Sequence, residues 1–156
     1  KNVEIIPIEV VIRNVAAGNL SKRLGIKEGV IFTEPVIEFY LKDDDLHDPS
    51  INHSHIAMLN LASKDEVAFI EKAALQINTV LKNHLRKINS TLVDFKLEFG
   101  RYEGKIILAD EISPDTCRFW DFETEEKLDK DRFRRDMGGL MEAYAEILKR
   151  LKGEGK

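Results

Sequence analysis

The alternation of apolar and polar residues at the start of the chain is typical of β-strands. Residues 3–13 are rich in β-branched side chains and predict a strand, with Pro7 expected at a sheet edge or at the strand start. Residues 20–24 fit a short helix that is ended by a glycine. Residues 30–42 predict one or two strands interrupted at Pro35, because proline cannot donate a hydrogen bond to a sheet ladder.

Two later segments have the 3.6-residue periodicity of amphipathic helices. Ser63 and Glu66 form the sequence pattern of a capping box, in which each side chain accepts a hydrogen bond from the other residue's backbone N–H. Apolar residues then recur on one helical face at Val67, Ile70, Ala74, Ile77, Leu81, Leu85 and Ile88. A last helix is predicted from Asp129 onward, with an apolar face at Phe133, Met137, Leu140, Tyr144, Ile147 and Leu151.

The segment between these helices predicts a β-hairpin. Its first strand, residues 91–99, alternates cleanly, with Val93, Phe95, Leu97 and Phe99 on one face and Asp94, Lys96 and Glu98 on the other. Residues 106–110 predict the partner strand. A three-residue turn would place Asp110 opposite Glu98, whereas a two-residue turn would place it beside Leu97. The sequence leaves both registers open.

The order of these elements indicates the fold class. A strand, a short helix, further strands, a long helix, a hairpin and a last helix predict an α+β fold, in which helices pack against an antiparallel sheet. This interrupted order does not fit a doubly wound parallel sheet. We expect a single domain over residues 1–152, followed by a flexible tail at 153–156.

Composition narrows the class of protein. The 156 residues are 43% hydrophobic and 33% charged, with a net charge of −4, which is typical of a folded globular chain. Basic residues are interspersed with acidic ones, so neither nucleic acid nor an anionic membrane is an expected partner. Cys117 is the only cysteine, and no apolar stretch approaches the roughly 20 residues of a membrane-spanning helix. These features predict a cytoplasmic protein, and its oligomeric state stays open, a homo-oligomer included.

The three ionisable residues on one face of the hairpin strand have two interpretations. Asp94, Lys96 and Glu98 form either a solvated sheet surface whose charges pair with each other, or the floor of a cleft. In such a cleft, carboxylates would bind Mg²⁺ and the lysine would contact phosphate. An acidic pair, Asp110 and Glu111, follows the apolar residues of the next strand and favours the cleft.

Five separated motifs resemble those of the succinocarboxamide synthase (SAICAR synthetase) family. The most specific is LVDFKLEFG at residues 92–100, and PIEVVIRNVAAG at residues 7–18 is similar to the P-x-E-x-x-x-R-x-x-x-x-G signature of that family. Further similar segments occur in the family's order at 42–49, 110–121 and 129–139. The resemblance covers nearly the whole chain and identifies it with the C-terminal portion of such enzymes.

The resemblance implies an ATP-dependent ligase of purine biosynthesis. Such an enzyme phosphorylates the carboxylate of carboxyaminoimidazole ribotide, and the amine of L-aspartate then displaces phosphate to form an amide. The expected cofactors are ATP and Mg²⁺. The family's N-terminal lobe, which carries a hairpin over the ATP phosphates, is not represented in this sequence, so the chain is expected to be a fragment that is inactive by itself.

The resemblance also implies roles for eleven residues. The expected metal ligands are Glu98 and Asp110, with Asp94 and Lys96 beside them as catalytic residues. The expected ligands of the ribotide phosphate are Arg13, Asn19 and Arg118. His47 and Asp48 are expected near the imidazole carboxylate, and Lys130 and Arg134 near the carboxylates of aspartate.

Some of these residues also fit simpler interpretations. Arg13 fits a surface position at a strand end, and Lys130 and Arg134 fit the exposed side of an amphipathic helix. Asn19 stands where the family usually has serine, which changes the geometry of any phosphate contact.

Two other functions remain open. The same contacts would suit a non-catalytic module that binds a phosphoribosyl ligand or a nucleotide. A kinase-like phosphotransferase is disfavoured, because the H-R-D-x-x-x-x-N motif does not occur in the sequence.

Overall fold

The computed structural model describes residues 3–110 and 112–153. Six strands form one sheet, with every pairing antiparallel. The strands are β1 (Glu4–Val15), β2 (Ile31–Leu41), β3 (Ser50–Ile51), β4 (Ser90–Tyr102), β5 (Lys105–Leu108) and β6 (Cys117–Asp121). The helices are α1 (Gly18–Leu24), α2 (His53–Met58), α3 (Lys64–Arg86), α4 (Asp131–Arg134) and α5 (Leu140–Leu151), with a 3₁₀ turn at Asp44–Leu46. The predicted α+β fold with an antiparallel sheet is confirmed.

Strand β1 lies at the centre of the sheet. The strand order is β3-β2-β1-β4-β5, and β6 also pairs with β4. One sheet face packs against the helices in a single core, to which α3 contributes Val67, Ile70 and Ala74 and α5 contributes Ala143 and Ile147. Helices α2, α3 and α5 therefore cover one face. The polar residues of the strands lie on the other face, beside α1 and α4.

The predicted capping box of the long helix is confirmed. Ser63 Oγ accepts a hydrogen bond from Glu66 N at 3.2 Å, and Glu66 Oε2 accepts one from Ser63 N at 2.8 Å. The helix ends at Arg86, two residues before the last predicted apolar position, although Ile88 still packs against the core.

The two strand prolines do not end strands. Pro7 lies inside the central strand β1, so its expected position at an edge or a strand start is wrong. The pairing of β1 with β4 shifts register between Ile5 and Glu9, and such an irregularity tolerates a residue that has no N–H. Strand β2 is likewise continuous through Pro35, and its pairing with β1 shifts register around that residue.

The predicted alternation of β4 is wrong at one residue. Leu92 pairs with Phe119 and Asp94 pairs with Arg118, so Val93 is an extra residue in a β-bulge. Val93 packs with Val15, Ala17 and Trp120 instead of joining the main core. Phe95, Leu97 and Phe99 do lie in the main core, as predicted.

Three further elements of the structure differ from the predictions. Helix α2, which was not predicted, forms because Asn52 and His55 make a capping box. Strand β6 was not predicted. The single C-terminal helix predicted from Asp129 is two helices, because Gly138 and Gly139 have φ values of 67° and 65° that a right-handed helix cannot include.

Two further predictions concern the C-terminal tail and membrane-spanning helices. The predicted tail at 153–156 lies outside the described residues from 154 onward. Among the residues that the structure describes, no helix is long and apolar enough to cross a bilayer.

Candidate functional site

The polar face of the sheet brings charged residues from strands β1, β4 and β6 together. Directly paired residues of neighbouring strands lie on the same face. Arg13 of β1 pairs with Asp94 of β4, which in turn pairs with Arg118 of β6. Glu9 pairs with Glu98 in the same way. Residues that are far apart in sequence therefore form one row of alternating charge, Arg13–Asp94–Arg118, and a second row in which two glutamates are neighbours.

Asp94 is enclosed by two guanidinium groups. Its side chain is only 4% exposed, and it accepts hydrogen bonds from Arg13 Nη1 at 2.8 Å and from Arg118 Nη1 at 3.0 and 2.8 Å. Burial favours the neutral acid, whereas the two arginines favour the carboxylate through charge-assisted hydrogen bonds. The interpretation of a solvated sheet surface does not apply at this residue.

Arg13 is buried, and its nitrogens already have partners. Nε donates to Glu38 Oε2 at 2.6 Å, Nη1 donates to Asp94, and Nη2 lies 3.4 Å from the hydroxyl of Tyr40. Only 6% of the Arg13 side chain is exposed, so the surface interpretation of this residue is wrong. A ligand phosphate that contacted Arg13 would have to replace one of these acceptors.

Lys96 and Glu98 belong to a second network on the same face. Lys96 Nζ donates to Glu9 at 2.5 Å and to Glu98 at 2.9 Å, and Lys42 Nζ donates to Glu98 at 2.9 Å. Burial alone would raise the pKa of Glu98, but hydrogen bonds from Lys42 and Lys96 outweigh it and hold the pKa below its ordinary value. Glu98 is thus a carboxylate whose charge is balanced by two ammonium groups.

Two adjoining clefts open onto these networks. The sheet cleft, of about 450 Å³, lies over the polar strands and is lined by Glu9, Val11, Arg13, Asp48, Asp94, Phe95, Lys96, Asp115, Thr116, Cys117, Arg118, Lys130 and Arg134. The arginine cleft, of about 640 Å³, is lined by Gly18, Asn19, Ser21, Lys22, Glu28, Arg118, Asp131, Arg134 and Arg135. Arg118 and Arg134 line both, so one elongated ligand can contact both clefts.

Most of the predicted site residues line these clefts. Asn19 is exposed at the start of α1 and lines the arginine cleft, while Asp48 and Lys130 line the sheet cleft. Lys130 Nζ lies 3.6 Å from Asp115. His47 is exposed at the end of the 3₁₀ turn, and neither cleft includes it among its described lining residues.

The hairpin register places Asp110 differently from Glu98. Tyr102 pairs with Lys105 across a two-residue turn, and Ala109 N donates to Glu98 O at 2.9 Å. The ladder therefore puts Asp110 next in line with Leu97, and the regular strand ends at Leu108. Glu111, the second residue of the predicted acidic pair, lies outside the described residues.

The donor set around Glu98 suits a metal that arrives with its own ligands. Within residues 3–110 and 112–153, no group of three or more His, Cys, Asp or Glu side chains could hold a metal ion. Mg²⁺ commonly binds to one or two carboxylates and completes its shell with substrate phosphates and water. Glu98, on the polar face, matches that limited protein contribution, whereas the two-residue turn puts Asp110 in line with Leu97 and not opposite Glu98.

Sequence reasoning missed two acids that hold the arginines. Asp131 accepts a hydrogen bond from Arg118 Nε at 2.9 Å, and Glu38 accepts from Arg13 Nε. Asp131 belongs to one of the family-like segments, but nothing in its sequence neighbourhood signals that its side chain is buried among arginines and only 3% exposed. Glu38 is separated from Arg13 by 25 residues, and only the pairing of β1 with β2 brings them together.

The chain is similar in sequence to proteins of one known family. The model of the SAICAR synthetase family matches residues 1–151. The chain belongs to the SAICAR synthetase family. It is 61% identical to the phosphoribosylaminoimidazole-succinocarboxamide synthase of Brevibacillus brevis over 155 residues, which are 99% of this chain and 65% of that protein. The chain thus spans about 65% of the length of the curated relatives that it matches.

Solved structures of SAICAR synthetases have the same fold. The enzyme of Pyrococcus horikoshii is 54% identical, with a TM-score of 0.94 over 99% of this chain and 68% of that one. A SAICAR synthetase solved in complex with ADP is also 54% identical, with a TM-score of 0.95 over 99% of this chain and 66% of that one. Nucleotide binding is therefore a property found within the family.

Proposed function

We propose that this chain provides the ribotide-binding part of an ATP-dependent ligase that joins L-aspartate to carboxyaminoimidazole ribotide. The observation that carries the proposal is the pair of adjoining clefts that share Arg118 and Arg134. The relatives that match the chain are phosphoribosylaminoimidazole-succinocarboxamide synthases, which supports the same substrates.

The two clefts suit the two ends of a ribotide. A phosphomonoester requires cationic donors, and Arg118, Arg134, Arg135 and Lys22 line the arginine cleft together with the exposed Asn19. The imidazole and its carboxylate would then extend into the sheet cleft, toward Lys96 and Asp48. We assign Lys130 to the carboxylates of L-aspartate, because it lines the same cleft and its side chain is 40% exposed. Arg134, expected at those carboxylates, also lines the arginine cleft and is assigned to the phosphate instead. His47, which precedes Asp48 in the chain, is assigned near the imidazole carboxylate.

The chemistry of amide formation explains the acidic and basic residues around Glu98. A carboxylate is a poor electrophile until one of its oxygens becomes a phosphate leaving group, and phosphoryl transfer requires cations around the transferring group. Glu98 would hold Mg²⁺, which when bound neutralises the charge of the ATP phosphates. Asp110 would reach the same ion only through the chain beyond Leu108, where the regular strand has ended. Lys96 would contact the substrate carboxylate or the transferring phosphoryl group, since 30% of its side chain is exposed above the carboxylates. Asp94 would act by holding Arg13 and Arg118.

Ribotide binding can be tested on the chain itself. Calorimetric titration with carboxyaminoimidazole ribotide should show saturable binding. Arg118→Lys keeps the charge between Asp94 and Asp131 but removes the fork of donors, so affinity should fall roughly 10- to 100-fold. Unchanged affinity in the Arg118→Lys protein, or no binding by the original chain, would refute the ribotide assignment.

The ligase step can be tested in a complete enzyme. Residues 1–151 would replace the matching segment of the Brevibacillus brevis synthase, and the chimera should form product from ribotide, L-aspartate and Mg-ATP. Glu98→Gln in the chimera should lower turnover about 100-fold or more, a loss typical of removing a group that stabilises transition-state charge. Glu142→Gln, on the exposed side of α5, is the matched control. A folded chimera that binds ribotide without forming product would instead favour a non-catalytic binding module.

A further inference from the structure

Asp131 connects three arginines beneath the arginine cleft. Its side chain is 3% exposed, and its carboxylate accepts hydrogen bonds from Arg118 Nε at 2.9 Å and from Arg134 Nη1 at 3.1 Å. Arg135 Nη2 lies 3.6 Å from the same carboxylate. All four residues line the arginine cleft, so one buried acid contacts every arginine of the cleft wall.

A second buried acid fixes the backbone around Asp131. Asp129 is fully buried, and its two carboxylate oxygens accept hydrogen bonds from Asp131 N and Phe119 N, each at 2.8 Å. Phe119 follows Arg118 in β6, so Asp129 ties the start of α4 to the strand that carries Arg118. The distance between the carboxylate of Asp131 and the guanidinium of Arg118 is therefore set from both sides.

The two acids that hold Arg118 leave one of its edges for a ligand. Nη1 donates to Asp94 and Nε donates to Asp131. In the part of the chain that the structure describes, Nη2 has no hydrogen-bond acceptor, and it is the atom nearest to the Cβ position of Gly18, at 2.5 Å. The free edge of Arg118 thus lies beside the first residues of α1, which also line the cleft.

We propose that Asp131 is a positioning residue, which orients Arg118 and Arg134 so that their free donors converge on a phosphomonoester in the arginine cleft. The proposal rests on the proposed function, because it presumes that this cleft takes the phosphate of the ligand. A negative charge beside a phosphate site opposes binding electrostatically. Asp131 is favourable there only because the orientation of the guanidinium groups outweighs that repulsion.

Replacing Asp131 distinguishes electrostatic repulsion from positioning, because the two predict opposite changes in phosphate affinity. Asp131→Asn removes the negative charge and one acceptor, so a purely electrostatic role predicts tighter phosphate binding. The positioning role predicts that affinity for ribose 5-phosphate falls at least tenfold. Asp131→Glu keeps the charge and moves the carboxylate by one methylene group, and positioning predicts weaker binding there also. Glu126→Gln, which breaks the exposed ion pair with Arg132 outside the cleft, should leave affinity unchanged.

The experiment is calorimetric titration of the 156-residue chain with ribose 5-phosphate and with inorganic phosphate, with thermal unfolding of each variant measured alongside. Weaker binding by both folded Asp131 variants supports positioning. Equal or tighter binding by Asp131→Asn, or by Asp131→Glu if the asparagine variant does not fold, overturns it. Absence of binding by the original chain contradicts the proposed phosphate site itself, so failure of the proposed function is recognised separately.

Discussion

At the scale of single residues, the conformation of Gly18 is coupled to the position of Arg118. Gly18 begins α1 with a φ of 57°, in the left-handed region, and an added Cβ would lie 2.5 Å from Arg118 Nη2. The family-like motif that ends at Gly18 predicts a special backbone there, but it does not indicate which side chain approaches. That approach depends on Asp94 and Asp131, which are 76 and 113 residues away in sequence.

Gly18→Ala should therefore weaken phosphate binding, in addition to the loss of stability that any alanine in the left-handed conformation causes. An alanine in the left-handed conformation costs about 1–2 kcal/mol, and at this position its methyl group also displaces the Arg118 guanidinium. Gly25 has a similar φ of 65° with nothing within 4 Å of its Cβ position, so Gly25→Ala is a matched control for the backbone cost. Urea unfolding should show similar losses of stability in both variants. Titration with ribose 5-phosphate should show about tenfold weaker binding in Gly18→Ala alone, and equal affinities would contradict the contact.

At the scale of secondary-structure elements, the bulge in β4 decides which side chains face each other across the sheet. If Val93 were paired regularly with Arg118, with no bulge, the ladder from Leu92 and Phe119 would pair Asp94 with Cys117. The bulge instead brings Asp94 opposite Arg118 and gives Val93 to the small cluster around Trp120. Alternation along a sequence cannot reveal such a shift, because it depends on the partner strand, and β6 was not predicted.

The N-terminus of α3 offers a prediction that belongs to this scale. Ser63→Ala removes the acceptor for Glu66 N, so the free energy of unfolding should fall by about 1 kcal/mol. Ser54→Ala lies in the exposed first turn of α2, where Asn52 is the capping residue, and should change stability by less than about 0.5 kcal/mol. Urea unfolding measured by circular dichroism compares the two. A loss in Ser54→Ala as large as that in Ser63→Ala would show that the capping box contributes no particular stability.

At the scale of the whole molecule, ion pairs join segments that are distant in sequence. Glu66 pairs with Arg101 and so ties α3 to β4, and hydrogen bonds from Arg101 and from Ser63 N lower the pKa of Glu66 to about 2. Glu28 receives hydrogen bonds from Arg135 and Lys127, which lower its pKa to about 2 and connect the segment after α1 to the segment around α4. The pairs of Glu28 hold the wall of the arginine cleft, whereas the Glu66–Arg101 pair joins α3 to β4 away from both clefts.

Acid should weaken the fold through these carboxylates. A carboxylate whose folded pKa is depressed contributes stability that is fully present above its ordinary pKa of about 4.5 and is lost as the pH falls toward 2. The free energy of unfolding should therefore decrease between about pH 4.5 and pH 2. Glu66→Gln should lower stability at pH 7 and make this decrease shallower, as measured by urea unfolding at several pH values. A pH dependence unchanged by Glu66→Gln would show that the pair with Arg101 does not contribute.

The sequence by itself determined the fold class, the long capped helix, the hairpin and the family, because each of these depends on local periodicity, capping or motif residues. Most of the site residues that it named line the two clefts. Tertiary structure alone decided which of the charged residues pair with each other. The registers are set by the bulge at Val93, the two-residue turn before β5 and the pairing of β6 with β4. Those registers enclose Asp94 between two arginines, place Asp110 in line with Leu97 and bury Asp131 beneath the arginine cleft. The physical reason is that these hydrogen bonds and ion pairs join side chains that come into contact only when distant strands are aligned. A register shift of one residue changes every such contact.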